Sequence, residues 1–189
     1  KILIIPAAGR STRYQGSRPK WLLTHPHGRL MIEEVVAGLN LDDYDETHIV
    51  ILKEHCEDHA ADVKIRQIFG EAFNITILED PTYSAPETVV KCIERNSLEG
   101  TIIVKDCDGL VSFDMPVTDK FVIGLDIHTQ PVKNITAKSF IQYDNNNIIK
   151  NIVEKRVISD LISLGVYSIP SHLLLESYRA LSSVATSEL

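Results

Sequence analysis

Residues 1–20 read KILIIPAAGRSTRYQGSRPK. The apolar run Ile2 to Ile5 ends at Pro6, which reads as a short buried strand. Ala7, Ala8 and Gly9 follow at once, small enough to let the backbone approach a ligand closely. Backbone N–H groups in such a turn can form an anion-binding nest. Arg10, Arg13, Arg18 and Lys20 then place four cations in one short stretch. The stretch is not a Walker loop, because no Gly-Lys-Ser/Thr follows, and only Gly9 matches a dinucleotide G-x-G-x-x-G. A polyphosphate partner and a plain basic surface loop both remain open here.

Working outward, apolar runs alternate with helical stripes. Ile32, Val35, Val36 and Leu39 fall at i, i+3, i+4 and i+7, the stripe of a core-facing helix. His48 to Leu52 reads as a strand, Ala61 to Phe69 as a helix, and Asn74 to Leu78 as a strand. Pro86 to Asn96 reads as a helix and Thr101 to Val104 as a strand. This order predicts a parallel sheet covered on both faces. Ligands in such sheets bind outside the carboxyl ends of the strands. The second part is strand-rich: Phe121 to Ile127, Ser139 to Tyr143, Ile148 to Val153 and Leu161 to Ile169. Asp144 to Asn147 marks a hairpin turn, and Leu174, Tyr178 and Leu181 a last helical stripe. No linker, repeat or low-complexity tract interrupts the chain.

The chain has 189 residues, about the length of one domain. It is 44% hydrophobic and 24% charged, ordinary for a globular protein. No apolar run reaches the roughly 20 residues of a membrane span. The opening run is too short for a signal-peptide core, so a cytoplasmic protein is expected. The first residue is Lys1 rather than Met, so the natural chain is expected to begin slightly earlier. The 19 cations against 26 anions give a net charge of −7, which argues against a general nucleic-acid binder. Cys56, Cys92 and Cys107, an odd count with no C-x-x-C, read as reduced thiols.

Three further stretches carry candidate chemistry. In VKDCDG, Asp106 and Asp108 stand at i and i+2 at a strand end. On extended backbone both carboxylates would point one way and could share a hard cation such as Mg²⁺. A polar turn is the competing reading. Glu154, Lys155 and Arg156 end another strand, and a solvated charged strand end explains them as well. In TYSAPETVV, Ser84 and Glu87 have capping-box spacing, with Pro86 in the first turn. Glu87 and Thr88 would also stand where a helix start could meet a nucleotide base. His55, Cys56 and His59 do not complete a zinc tetrahedron and read as a solvated helix end. His25 and His27 read as turn residues before Gly28, and Trp21 as a core anchor.

PAAGRSTR, then Pro19-Lys20, then a strand-end DCDG resembles the nucleotidyltransferases that make activated sugars and alcohols. These include the sugar-1-phosphate nucleotidylyltransferases and the small-molecule phosphate cytidylyltransferases. Glu154, Lys155, Gly165 and Tyr167 match the family's Glu-Lys-Pro stretch and Gly-x-Tyr strand, with Arg156 in place of the Pro. Ser11 replaces the second loop glycine. The resemblance covers residue 2 to about 170. It implies a Rossmann-like three-layer α/β/α sandwich with a mixed, mainly parallel sheet. That sheet would lie in one domain over 1–189, with a nucleotide-binding half (1–110) and an acceptor-binding half (111–189). It implies a Mg²⁺-dependent enzyme (Mn²⁺ as substitute) that joins a nucleoside triphosphate to a phosphorylated small molecule and releases pyrophosphate. CTP is favoured by the compact loop, with UTP or dTTP behind it, and the product would be a precursor for surface polysaccharide or similar material. Arg13 and Lys20 would be catalytic. Ala7, Ala8, Gly9, Arg10, Ser11, Thr12, Glu87 and Thr88 would meet the nucleotide. Asp106 and Asp108 would hold the metal, and Glu154 and Lys155 the acceptor. The family's late metal-binding Asp or Asn is not placed on any residue up to Leu189. The implied partners are the two substrates and a homo-oligomer, without nucleic acid or membrane. The alternative is a catalytically inactive or regulatory nucleotide-binding domain of the same fold.

Overall fold

The structure is a computed structural model. It describes residues 1–9 and 18–187, and the side chains of these up to residue 181. The chain divides into two compact units, Lys1–Phe121 with Tyr167–Leu189, and Val122–Val166.

The first unit is built on four parallel strands. They are β1 (Ile2–Pro6), β2 (Glu46–Leu52), β3 (Asn74–Leu78) and β4 (Thr101–Lys105), in the order β3-β2-β1-β4. β1 is central, with Ile2 level with both Glu46 of β2 and Ile102 of β4. Its residues alternate between two buried faces, as successive strand side chains must. Ile2 and Ile4 join one cluster with Val50, Leu52, Leu78 and Ile102, closed by Val89, Cys92 and Ile93 of α4 (Ala85–Asn96). Leu174 and Leu175 of α5 (Ser171–Ser187) pack on the same cluster. Leu3 and Ile5, which point the other way, are equally buried. So are Ile32, Val35 and Val36 of α1 (Met31–Ala37). Each such aliphatic side chain contributes about 1.5–3 kcal/mol of transfer free energy.

Between β2 and β3 the sequence reading is corrected. The sequence predicts one helix, with His55, Cys56 and His59 at its start and an apolar stripe from Ala61 to Phe69. The structure holds two, α2 (Lys53–His59) and α3 (Ala61–Phe69), separated by Ala60 in the left-handed region at φ +49°. His55 is not part of a solvated helix end. It is buried against Trp21, with ring centroids 5.8 Å apart. Trp21 is itself a core anchor, as expected.

The second unit is antiparallel. β6 (Ser139–Tyr143) and β7 (Ile149–Glu154) form a hairpin, and β5 (Phe121–Asp126) and β6 both pair with β8 (Leu161–Pro170). The hairpin turn forms at the expected place. Asp144 Oδ1 accepts the N–H of Asn146 at 2.9 Å and of Ile148 at 3.0 Å, and Asn147 takes φ +60°. Helices alternating with a mixed, mainly parallel sheet make this a Rossmann-like α/β fold. Among the described residues, no helix is long and apolar enough to cross a membrane.

Candidate functional site

Because β1 and β4 are neighbouring parallel strands, their carboxyl ends open side by side. The small-residue loop leaves the first and the DCDG turn leaves the second. Ala7 and Ala8 are buried, and the Ala7 N–H donates to Val50 O at 2.8 Å. Ala7 therefore extends the β1–β2 pairing, and its N–H is committed to the sheet. Gly9 is exposed, and among the described residues nothing lies within 4 Å of where its Cβ would stand. Arg10, Ser11, Thr12 and Arg13 lie outside the described residues.

The chain re-enters at Pro19, which is buried and precedes a 3-10 turn, Lys20–Leu22. Trp21 and Leu22 are fully buried and anchor this turn. Lys20 is left half-exposed, and its ammonium donates to the Asp108 carboxylate. The contact joins two stretches that are 88 residues apart.

The Asp pair does not lie on extended backbone, which corrects the sequence geometry. β4 runs one residue further than expected, to Lys105, and Asp106, Cys107 and Asp108 form a turn beyond it. Burial foremost, and then the Asp108 charge, push the Asp106 carboxyl up, while Lys105 and Lys20 pull it back. The Cys107 thiol is pushed up to about 12 by burial and the two flanking carboxylates, so it is no thiolate near neutral pH. A buried carboxylate whose charge is opposed by a second carboxylate two residues on suits a divalent cation. All-oxygen donors fit Mg²⁺ or Mn²⁺ rather than a thiophilic metal.

Lys105 lies beside these aspartates and is not singled out by the sequence analysis. Its side chain is 0% exposed, and its ammonium donates to Asp106 O at 2.8 Å. A Cβ on Gly109 would stand 3.7 Å from that ammonium, so the lysine lies folded beneath the turn. Burial lowers its pKa, and the two aspartates oppose that shift. The available signal was a lysine in register with a buried strand, directly before two aspartates.

At the start of α4, Ser84 Oγ accepts the Glu87 N–H at 3.3 Å, and Glu87 Oε2 accepts the Tyr83 N–H at 2.7 Å. Glu87 also pairs with Lys91 at 2.8 Å. Thr88 is buried, with its hydroxyl 2.5 Å from Thr82 Oγ1. Ser84 is thus the N-cap, Glu87 closes the turn before it, and Thr88 is tied to Thr82 and Ser84 O inside the first turns.

In the second unit β7 ends at Glu154, and Lys155 turns left-handed at φ +58°, donating its N–H to Lys138 O at 2.9 Å. The strand alternation is broken here, so Glu154 and Lys155 are not forced to opposite faces. Their side chains pair at 2.6 Å, both well exposed.

No family model and no curated protein matches the chain. Solved structures do. The nucleoside-diphosphate-sugar pyrophosphorylase from Vibrio cholerae RC9 superposes with a TM-score of 0.76 at 21% identity, over 100% of this chain and 81% of its own. The inositol-1-phosphate CTP transferase from T. maritima gives 0.67 at 14% identity, over 92% and 71%. HddC from Yersinia pseudotuberculosis, complexed with GMP-PN, gives 0.68 at 16% identity, over 92% and 78%. At these identities the likeness shows the fold, and it is the fold that the opening motif implied.

Proposed function

We infer that the protein is a nucleotidyltransferase. It would join a nucleoside triphosphate to a phosphorylated small molecule or sugar phosphate and release pyrophosphate. The observation that carries this reading is the Lys20–Asp108 ion pair. It brings Lys20, at the end of the opening stretch, to the acidic turn beyond β4, at the carboxyl end of the parallel sheet, where α/β sheets bind ligands. The fold shared with a CTP transferase and a nucleoside-diphosphate-sugar pyrophosphorylase supports it.

In this reading an acceptor phosphate oxygen attacks the α-phosphorus, a new P–O bond forms, and the bond to the leaving pyrophosphate breaks. Positioning and charge stabilisation do most of the work. Lys20 lies against the α-phosphate, where negative charge grows, after exchanging its Asp108 partner for the substrate. Ala8 and Gly9 offer backbone to the triphosphate, and Arg13 faces the leaving group. Asp106 and Asp108 would hold Mg²⁺, which would supply charge neutralisation for the phosphates. Glu154 and Lys155 meet the acceptor. CTP is the favoured nucleotide and a surface-polysaccharide precursor the favoured product class.

The test is pyrophosphate release from each of the four triphosphates against a panel of phosphorylated acceptors with Mg²⁺. Lys20→Ala is expected to lower turnover on the order of 10²-fold while leaving the unfolding midpoint in place. No release from any pairing, or normal turnover in the variant, overturns the reading.

A further inference from the structure

The segment after the Lys20 turn folds into a tight reversal with a chemistry of its own. Thr24 and Leu30 form an isolated antiparallel bridge. Inside it the His25 N–H donates to Arg29 O at 2.6 Å, and the Gly28 N–H donates to His25 O at 2.8 Å. Gly28 has φ +88°, a value that L side chains rarely adopt, so a glycine is required to close the turn. The turn is tied to α1 on both sides of the bridge. The Met31 N–H donates to Leu23 O at 2.9 Å, and Glu33 Oε2 accepts the Leu30 N–H at 2.7 Å.

This backbone fixes where three side chains start. His25 and His27 leave the turn two residues apart, with ring centroids 4.5 Å apart and planes at 67°. Glu34 leaves the first turn of α1. One ligand atom from each of the three lies within 4.8 Å of the other two. His27 is exposed, and His25 and Glu34 are half-buried. Bonds of about 2.0–2.1 Å to a tetrahedral ion would bring such atoms to roughly 3.3 Å from one another. Side-chain rotation of partly exposed groups covers that difference without moving the backbone.

We propose that His25, His27 and Glu34 form a binding site for a borderline divalent metal ion, Zn²⁺ foremost. Two imidazoles and one carboxylate make a nitrogen-rich set that favours Zn²⁺, Co²⁺ or Ni²⁺ over Mg²⁺. Three protein ligands leave a fourth position for water. The bound ion ties the Thr24–Leu30 turn to α1 and so braces the segment that follows Lys20. This is a second metal chemistry, separate from the all-oxygen pair Asp106 and Asp108, and it does not depend on the nucleotidyltransferase reading.

The test is calorimetric titration of the metal-stripped whole chain with Zn²⁺ near neutral pH, repeated with Co²⁺ followed by visible absorption. One equivalent is expected to bind with micromolar or tighter affinity and to raise the unfolding midpoint. His27→Ala and Glu34→Gln should each weaken binding by about tenfold or more, no less than the loss of a ligand's outer partner, and reduce the thermal shift at a fixed Zn²⁺ concentration. Asp108→Asn should leave Zn²⁺ affinity unchanged. His27 is an exposed turn residue, so its variant should fold, and circular dichroism checks this. Absence of micromolar binding to the wild-type chain overturns the proposal. So does wild-type affinity in either the His27 or the Glu34 variant, or a loss of Zn²⁺ binding in Asp108→Asn.

Discussion

Lys105 buries an ammonium at the end of β4 with a carbonyl oxygen as its hydrogen-bond partner. A buried cation is costly, and removing it alone leaves the buried groups that it pairs with uncompensated. Its retention is accounted for by what lies above it, two carboxylates whose charge it offsets and a turn whose first carbonyl it holds. Lys105→Met removes one partner only, so it is expected to lower the unfolding midpoint and, below that midpoint, to lower turnover by about 10–100-fold, the range for removing a group that orients metal ligands. Turnover and urea denaturation on one preparation check this, and normal turnover would remove Lys105 from the site. The candidate chemistry was legible in residue types: a lysine closing a cationic stretch and two aspartates at a strand end each suggest a role. Their meeting was not, because nothing local records a pairing across 88 residues. Lys105 was passed over because the strand was read to end at Val104, which turned a buried strand residue into an apparent loop cation.

At the scale of elements, the parallel strands were legible because buried strands read as continuous apolar runs. Ile2 to Ile5, Asn74 to Leu78 and Thr101 to Val104 match β1, β3 and β4 to within one residue. α2 was not legible as a helix of its own. Its residues, KEHCEDH, show no apolar stripe, and its end is set by a left-handed Ala60 where a glycine would have been the usual mark. A different glycine carries a packing constraint. Gly38 follows α1 with ordinary backbone angles, yet a Cβ there would stand 2.4 Å from Val111 O. A backbone carbonyl cannot swing aside as a flexible side chain can. Gly38→Ala should thus cost about 1–3 kcal/mol, the range for overpacking. It should do so despite the alanine's better helix propensity. Urea midpoints compare the two chains, and an unchanged midpoint would mean that the 110–111 segment shifts freely.

At the scale of the whole molecule, both unit boundaries fall inside strands, within β5 and β8. No Pro-, Gly- or Ser-rich linker marks them, which is why the sequence shows no division there. Acid sensitivity is a property of the whole fold to which one buried side chain makes a traceable contribution. His55 packs on Trp21 and is close to the Leu52 N–H, at 3.4 Å from Nδ1. Burial foremost, and then the His59 charge, lower its pKa from 6.5 to about 4. The unfolded chain binds this proton below pH 6.5 and the native chain only below about 4. Between those values the unfolded state holds more protons, so stability rises with pH and is lost as pH falls through the window. The full contribution is on the order of 3 kcal/mol, present above the upper value. Asp106, whose carboxyl is pushed up, contributes with the opposite sign at the acid end, so the wild-type slope alone does not isolate His55. His55→Gln removes the titration and keeps a polar side chain of similar size. Denaturant unfolding across the window should show a shallower loss of stability in the variant than in the wild type. Parallel curves would place the acid sensitivity on other groups.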